Sequence, residues 1–271
     1  MNNSGTLVGA PPVEKSKRFK GGAVIQWAMR SIPLIVLFVG WEFASRSFHD
    51  LALLLPPPSK VIDGAMDLIR SGSLQNDTLA SLRRVFVALG VAAGIGLPLG
   101  LLIGMSKKIS WFLEPIVNFF RPIPPIAWIP LSIVWLGVSE AQNEFIIFLG
   151  AFFPILLNAV QGIRQVDPQI VRAAKTLGAS PLCIACTVLI PGALPSIFVG
   201  LRVGAGIAWM ALVAGEMVAA SSGLGYLIMQ GRLLFRSDYI IVGMVVIGLI
   251  GLALDFLFRE AQRRIMRWED A

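Results

Sequence analysis

The 271 residues include one histidine, His49, two cysteines, Cys183 and Cys186, and two tyrosines. A catalytic triad needs a nucleophile beside a positioned base, and a lone histidine supplies no such pair. The cysteines stand in a Cys-x-x-Cys spacing, but a zinc site needs further ligands, the only histidine is expected on the opposite side of the membrane, and a cytoplasmic dithiol normally stays reduced. No Gly-x-x-x-x-Gly-Lys-Ser/Thr loop occurs anywhere, so nucleotide is not bound by that route. No catalytic residue, metal or cofactor is expected of this chain. Charge is scarce as well, at 14% of residues.

Apolar residues fill the space left by these shortages. At 56% hydrophobic, with a mean hydropathy of +0.76, the chain cannot hide its apolar surface in one soluble core. It is an integral membrane protein. Stretches of about 20 apolar residues predict six spans near 29–47, 85–105, 115–137, 144–163, 194–218 and 238–257. The first twenty residues are polar and end in Lys15, Lys17, Arg18 and Lys20, with no small-residue cleavage site after them, which predicts a tail rather than a leader. The expected organisation is an amino-terminal tail and interfacial segment at 1–28, a six-helix domain at 29–258 and a carboxy-terminal tail at 259–271.

Cations set the orientation. With both termini inside, the inner segments hold 14 of the 23 Lys and Arg and the outer segments 7, with Arg121 and Arg202 falling inside spans. That bias predicts cytoplasmic termini and explains the net charge of +7 without nucleic acid.

The long inner loop at 164–193 is built like a machine part. Asp167 is placed to cap a helix whose first residue is Pro168, Ala173 and Ala174 give that helix a small face, and Gly178 ends it in the left-handed conformation. Ser180 and Pro181 start a second helix, expected to stop at Ile190-Pro191-Gly192. Outside, Leu55-Pro56-Pro57-Pro58 is stiff, Ser59 is expected to cap a helix, and Val61, Ile62, Ala65, Met66 and Ile69 recur at helical spacing. That helix either closes the periphery of the bundle or meets an external delivery protein.

The third span carries the oddest chemistry. Pro122, Pro124, Pro125 and Pro130 follow Arg121 closely, and each removes a backbone donor, so the helical ladder breaks at membrane depth. Such a break is tolerated only inside protein or beside a wet cavity. The segment is therefore a candidate for the translocation pathway, with a kinked packing helix as the alternative. Charges within spans are costly by about 2.5–3.5 kcal/mol each, which draws attention to Arg121, Arg202 and Glu216. For Arg202 the alternatives are a cationic waypoint, snorkelling, or pairing within the bundle; for Glu216, an internal ion pair competes with a pathway role. Glu42 and Arg46 are spaced as an outer-surface pair. Trp128 and Trp209 fall inside spans and could line a cavity. Gly90, Gly94, Gly96 and Gly100 in span two, and Gly200, Gly204 and Gly206 in span five, give small faces for close helix approach.

The inner loop resembles that of the permease subunits of ATP-binding-cassette (ABC) importers. Their motif reads Glu-Ala-Ala, three residues, Gly, nine residues, then Ile-x-Leu-Pro. Here the register is filled by Arg172-Ala173-Ala174, Gly178 and Val188-Leu189-Ile190-Pro191, with Arg172 in place of the usual Glu. Arg121-Pro122-x-Pro124-Pro125-x-Ala127-Trp128-x-Pro130-Leu131 is similar to the taurine, aliphatic sulfonate and nitrate permeases, and Arg121-Pro122 with the Arg172 variant is closest to the taurine branch. The resemblance implies an all-α type I importer permease fold, with Asp167, Pro168, Arg172, Ala173, Ala174, Gly178 and Pro191 coupling to an ATPase. It further implies a multi-pass inner-membrane protein, a second copy as homodimer partner, a separate ATP-binding subunit that uses the ATP, and an extracytoplasmic binding protein. Membrane lipid surrounds the assembly. A small anion, taurine or another sulfonate, is the expected cargo, with nitrate or another organic solute as the alternative. The rival from another class is an ion-coupled secondary transporter, for which the needed intramembrane carboxylates are missing from spans two to four after Glu114. A membrane enzyme would need a catalytic cluster, and there is none.

Overall fold

The computed structural model describes residues 36–47 apart from 38, and 55–266, and these are almost entirely helical. The first expected span is therefore seen only in part, as helix over 39–47, and the tail before residue 29 and the last residues of the carboxy-terminal tail lie outside the described residues. The helices that follow are α1 (Pro58–Arg70), α2 (Ser73–Met105), α3 (Lys107–Phe120), α4 (Ile129–Leu136) and α5 (Glu140–Gln165). After them come α6 (Pro168–Thr176), α7 (Pro181–Ile184), α8 (Ile190–Ala219), α9 (Leu224–Leu233) and α10 (Ser237–Ile265).

Four continuous helices are long and apolar enough to cross a membrane: α2, α5, the run Pro181–Ala219, and α10. The third expected span is instead two arms, α3 and Pro125–Leu136, bent by 84°. Its ends decide whether it crosses. Arg164, near the end of α5, pairs with Glu114 of α3, whereas Gln142, near the start of α5, donates from Nε2 to Ser132 Oγ of α4 at 2.9 Å. The two arms thus lie against opposite ends of a membrane-length helix, the arrangement of one broken span. Counted as one, the pair brings the spans among the described residues from four to five.

Prolines explain the break. Pro125 and Pro130 sit in the first turns of the 3-10 segment (Pro125–Trp128) and of α4, where a missing N–H costs nothing, and Pro124 is extended at the junction. Ring contacts between Phe120 and Trp128 at 5.9 Å, and between Trp128 and Trp135 at 6.4 Å, fill the crook between the arms.

Helix α5 is the centre of the bundle, packed against α2 on one side and α8 on the other. Ile147, Ala151 and Ile155 from α5 meet Ala88 and Ala92 from α2 and Ala205, Ala208 and Leu212 from α8 in the main core. Glycine makes the approach close: Gly204 lies against the Ala151 carbonyl, and Gly100 against Leu156 and Ala159. The expected small faces are divided, because Gly96, Gly100, Gly200 and Gly204 face α5 whereas Gly90, Gly94 and Gly206 meet nothing within 4 Å. Gly100→Leu is accordingly expected to destabilise the fold by about 1–3 kcal/mol through overpacking, since its Cβ would lie 2.6 Å from the Leu156 carbonyl oxygen. Gly90→Leu should be neutral in the same thermal melt in detergent.

Two expectations on helix ends are corrected. Ser59 does not cap α1, whose first residue is Pro58; the cap comes from Glu42, which accepts from Ser59 N at 3.1 Å while also pairing with Arg46 at 2.6 Å. A carboxylate that reaches in from another helix replaces the local hydroxyl. Nor does the helix begun at Pro181 stop at Ile190-Pro191-Gly192. A π turn over Ala185–Leu189 precedes Pro191, shifts the hydrogen-bond register and gives the ring room, so α7 runs on into α8.

Candidate functional site

The loop between α5 and α8 folds as its residues dictate. The Asp167 carboxylate accepts from Gln169 N at 2.7 Å, and Pro168 opens α6. At the other end Gly178 has φ +81°, its N–H donates to the Lys175 carbonyl at 3.0 Å, and Ala179 N donates to the Ala174 carbonyl at 3.1 Å. This paired closure is a Schellman motif. Ser180 then accepts from Cys183 N at 3.2 Å and begins α7. The base of the loop is pinned where Ser196 donates to Gln165 at 3.1 Å and Val166 packs on Gly192, a contact that leaves no room for a Cβ.

A doubly capped helix is left with one face uncovered among the described residues. No residue of α6 is buried. Ile170, Ala173 and Leu177 share one exposed face, Leu177 at 87% and the nearby Leu182 of α7 at 76% exposure. Arg172 is exposed too, while Ala174 is half-buried. Water is a poor partner for such a face.

The pathway candidates fall in two groups. Arg121, Pro122 and Pro124 are exposed at the bend, with Pro125 and Trp128 half-buried beside them. The Arg121 N–H closes the preceding helix on the Val117 carbonyl at 2.9 Å, and its guanidinium has no hydrogen bond or ion pair among the described residues. The remaining three have partners. Arg202 Nε donates to Asp255 at 2.6 Å, Trp209 Nε1 donates to the Ile247 carbonyl at 3.2 Å, and Glu216 belongs to a buried network.

That network is the feature the sequence reading missed. Arg84, assigned there to the outer cations, is 2% exposed and uses all five of its N–H donors. Nε and Nη2 donate to Glu140 at 2.6 and 2.5 Å, Nη1 to Glu216 and to the Ser222 carbonyl at 2.7 Å each, and Nη2 also to Ser222 Oγ at 2.9 Å. Glu216 also accepts from Ser81 Oγ at 2.8 Å and Gly225 N at 2.9 Å, and Asp77 accepts from Gly223 N at 2.8 Å. Gly223, at φ +115°, has no room for a side chain over the Glu216 carboxylate. Four helices, α2, α5, α8 and α9, meet in one polar knot at the end opposite the loop. The available signal was a stripe, since Asp77, Ser81 and Arg84 recur at i, i+4 and i+7 along one face of the polar first turns of α2.

Beside the knot, α1 is tied to the bundle by Arg236, which bonds Asp238 at 2.6 Å, approaches Asp67 at 3.8 Å and lies over the Tyr239 ring. Hydrogen bonding to Asp238 pushes the Arg236 guanidinium further above its already high range. On α1 the expected apolar face is split: Val61 and Ala65 pack on the core, while Ile62, Met66 and Ile69 remain exposed.

A broken apolar span in a bundle of membrane-length helices, with an amphipathic helix left uncovered among the described residues, defines a polytopic membrane protein. Comparison with known proteins agrees. Residues 96–268 match the family described as "Binding-protein-dependent transport system inner membrane component". The chain is 35% identical to the taurine transport system permease protein TauC of Escherichia coli, over 86% of each chain. It is 33% identical to the nitrate import permease protein NrtB of Synechocystis, over 83% of this chain and 84% of that one. Among solved structures, inward-facing MetNI methionine ABC transporter has a similar fold, with a TM-score of 0.63 at 22% identity, covering 71% of this chain and 95% of the other. The chain belongs to the binding-protein-dependent family: it is an ABC importer permease of the inner membrane, with the type I fold.

Proposed function

We propose that the chain forms the translocation pathway for a small anion, with taurine or another sulfonate as cargo and nitrate as the second reading. It acts as a homodimer, with one cytoplasmic ATP-binding subunit on each half and an extracytoplasmic binding protein delivering the substrate. The observation that carries this reading is α6, which is capped at both ends while its apolar face has no partner among the described residues. ATP closes the two ATPases, α6 moves with them through Asp167, Arg172, Ala173, Ala174 and Gly178, and the π turn before Pro191 passes the movement into α8. The likeness to the taurine and nitrate permeases supports a cargo that carries an oxyanion group. Arg121 is the intramembrane cation free to meet it, beside Pro122, Pro124, Pro125 and Trp128, whereas Arg202, Trp209 and Glu216 already have partners in the bundle.

Both termini are cytoplasmic in this reading. In a background lacking Cys183 and Cys186, a cysteine at Ser139 should react with an impermeant thiol reagent from outside and one at Gln169 should not. In proteoliposomes carrying the ATPase, ATP and the binding protein should together drive taurine inward. Labelling with the opposite sidedness, or uptake that needs no ATPase, would overturn the reading.

A further inference from the structure

At the loop end of the broken span, α2, α3 with Arg121 just past its end, and α5 line an open cavity of about 380 Å³. Its floor is apolar, with Ile103, Leu156 and Val160, and its rim is not. Glu114, Asn118 and Arg121 project from α3 at i, i+4 and i+7, and Gln161 and Arg164 from α5 at i and i+3, so the polar stripes of the two helices face each other across it. Such stripes are costly in a membrane unless something uses them.

The charges specify what fits. Arg164 pairs with Glu114 and also donates to Ser110 Oγ at 2.9 Å, which fixes that side of the cavity. The side chains of Arg121, Asn118 and Gln161 have no hydrogen-bond partner among the described residues. Two guanidiniums and one carboxylate leave one positive charge in excess, which favours an anion; five N–H donors on each guanidinium match a tetrahedral oxyanion. The Glu114 carboxylate beside them repels a second negative charge and attracts a cation. A carboxylate offers about four acceptor sites, and Arg164 and Ser110 use only part of them. The ligand that satisfies both signs is a zwitterion.

We propose that this cavity is a binding site for a small zwitterion carrying an oxyanion and an ammonium group a few bonds apart. Arg121 and Arg164 hold the oxyanion, Glu114 takes the ammonium, and Asn118 and Gln161 complete the donor set. Two sources share this chemistry: an aminoalkyl sulfonate such as taurine, and the phosphoethanolamine headgroup of a membrane lipid. The first deepens the importer reading above and rests on it. The second does not need it. At about 30 Å³ of liquid volume per water, the space left around either group accommodates bridging waters.

The test uses the permease assembled with its ATPase in nanodiscs of phosphatidylglycerol alone, titrated with taurine and with 2-hydroxyethanesulfonate, which lacks the ammonium. Expected for the sulfonate source is tighter binding of taurine, abolished as a preference in Glu114→Gln, with at least a tenfold loss of affinity for both ligands in Arg121→Gln. Expected for the lipid source is phosphatidylethanolamine retained by the complex in native mass spectrometry after extraction from mixed membranes, and lost in both variants. If neither variant alters taurine binding or phosphatidylethanolamine retention, the site is refuted. Failure of the wild-type chain to copurify with an ATPase would instead sink the importer reading, whatever the cavity binds.

Discussion

Arg84→Met is expected to destabilise the permease by about 3–5 kcal/mol, because it strands the buried Glu216 carboxylate without its counter-charge. Glu216 has no exposed side-chain surface, and Ser81 Oγ and Gly225 N are hydrogen-bond donors that do not neutralise it. Glu140 behaves differently, since its side chain is 57% exposed and water can take over when the guanidinium leaves. Glu216→Gln keeps the shape and leaves Arg84 its bidentate partner Glu140, so the milder loss of a charged hydrogen bond, about 1–3 kcal/mol, is expected. The double variant Arg84→Met, Glu216→Leu removes both buried charges together. It should recover part of what the first variant loses, stopping short because the Gly225 N–H and Ser81 hydroxyl lose their acceptor. Thermal melts of the purified protein in one detergent rank the three. A melting temperature for Arg84→Met equal to that of the unaltered protein would show that the ion pair does not hold these four helices together.

The knot also marks the limit of what the sequence discloses. Arg83 and Arg84 are adjacent and chemically identical, yet one is exposed and the other fully enclosed. Hydropathy treats both as the polar flank of a span beginning at residue 85, whereas helical phase separates them, because Arg84 shares a face with Asp77 and Ser81. What phase leaves out is the partner. Glu216 lies 132 positions away, and only the packing of α8 against α2 and α5 brings it within 2.7 Å. The loop at 164–193 was legible for the opposite reason: its chemistry is local. Asp167 bonds two residues on and Gly178 closes a helix over its own last turn, so spacing alone carries the geometry. Where a distant group intervened, local reading failed, as at Ser59, whose helix is capped by Glu42 from another segment. Pro191 failed differently. A proline in a helix predicts an end, and the π turn before it allows the helix to continue.

Helix α6, proposed above to meet the ATPase, gives the second large effect. Ala173 is exposed on α6 between Ile170 and Leu177, so a tryptophan there adds bulk toward a partner without disturbing the chain's own packing. Ala174 is half-buried, and the same change at that position would confound docking with folding. Interface residues in well-packed pockets commonly cost 2 kcal/mol or more when altered, about 30-fold in affinity, and a ring forced into a groove shaped for a methyl group falls in this class. Ala173→Trp should therefore lower ATP-driven uptake at least tenfold and weaken ATPase copurification, while membrane abundance and melting temperature stay unchanged. Ile170→Asp attacks the same face by charge instead of size and should give the same pattern, since an unpaired carboxylate in an apolar contact is costly. Agreement between two variants of opposite character separates a lost interface from a local steric accident. Full uptake and normal copurification in both would mean that this face docks nothing, and the route from ATP to the membrane helices would have to enter the permease elsewhere.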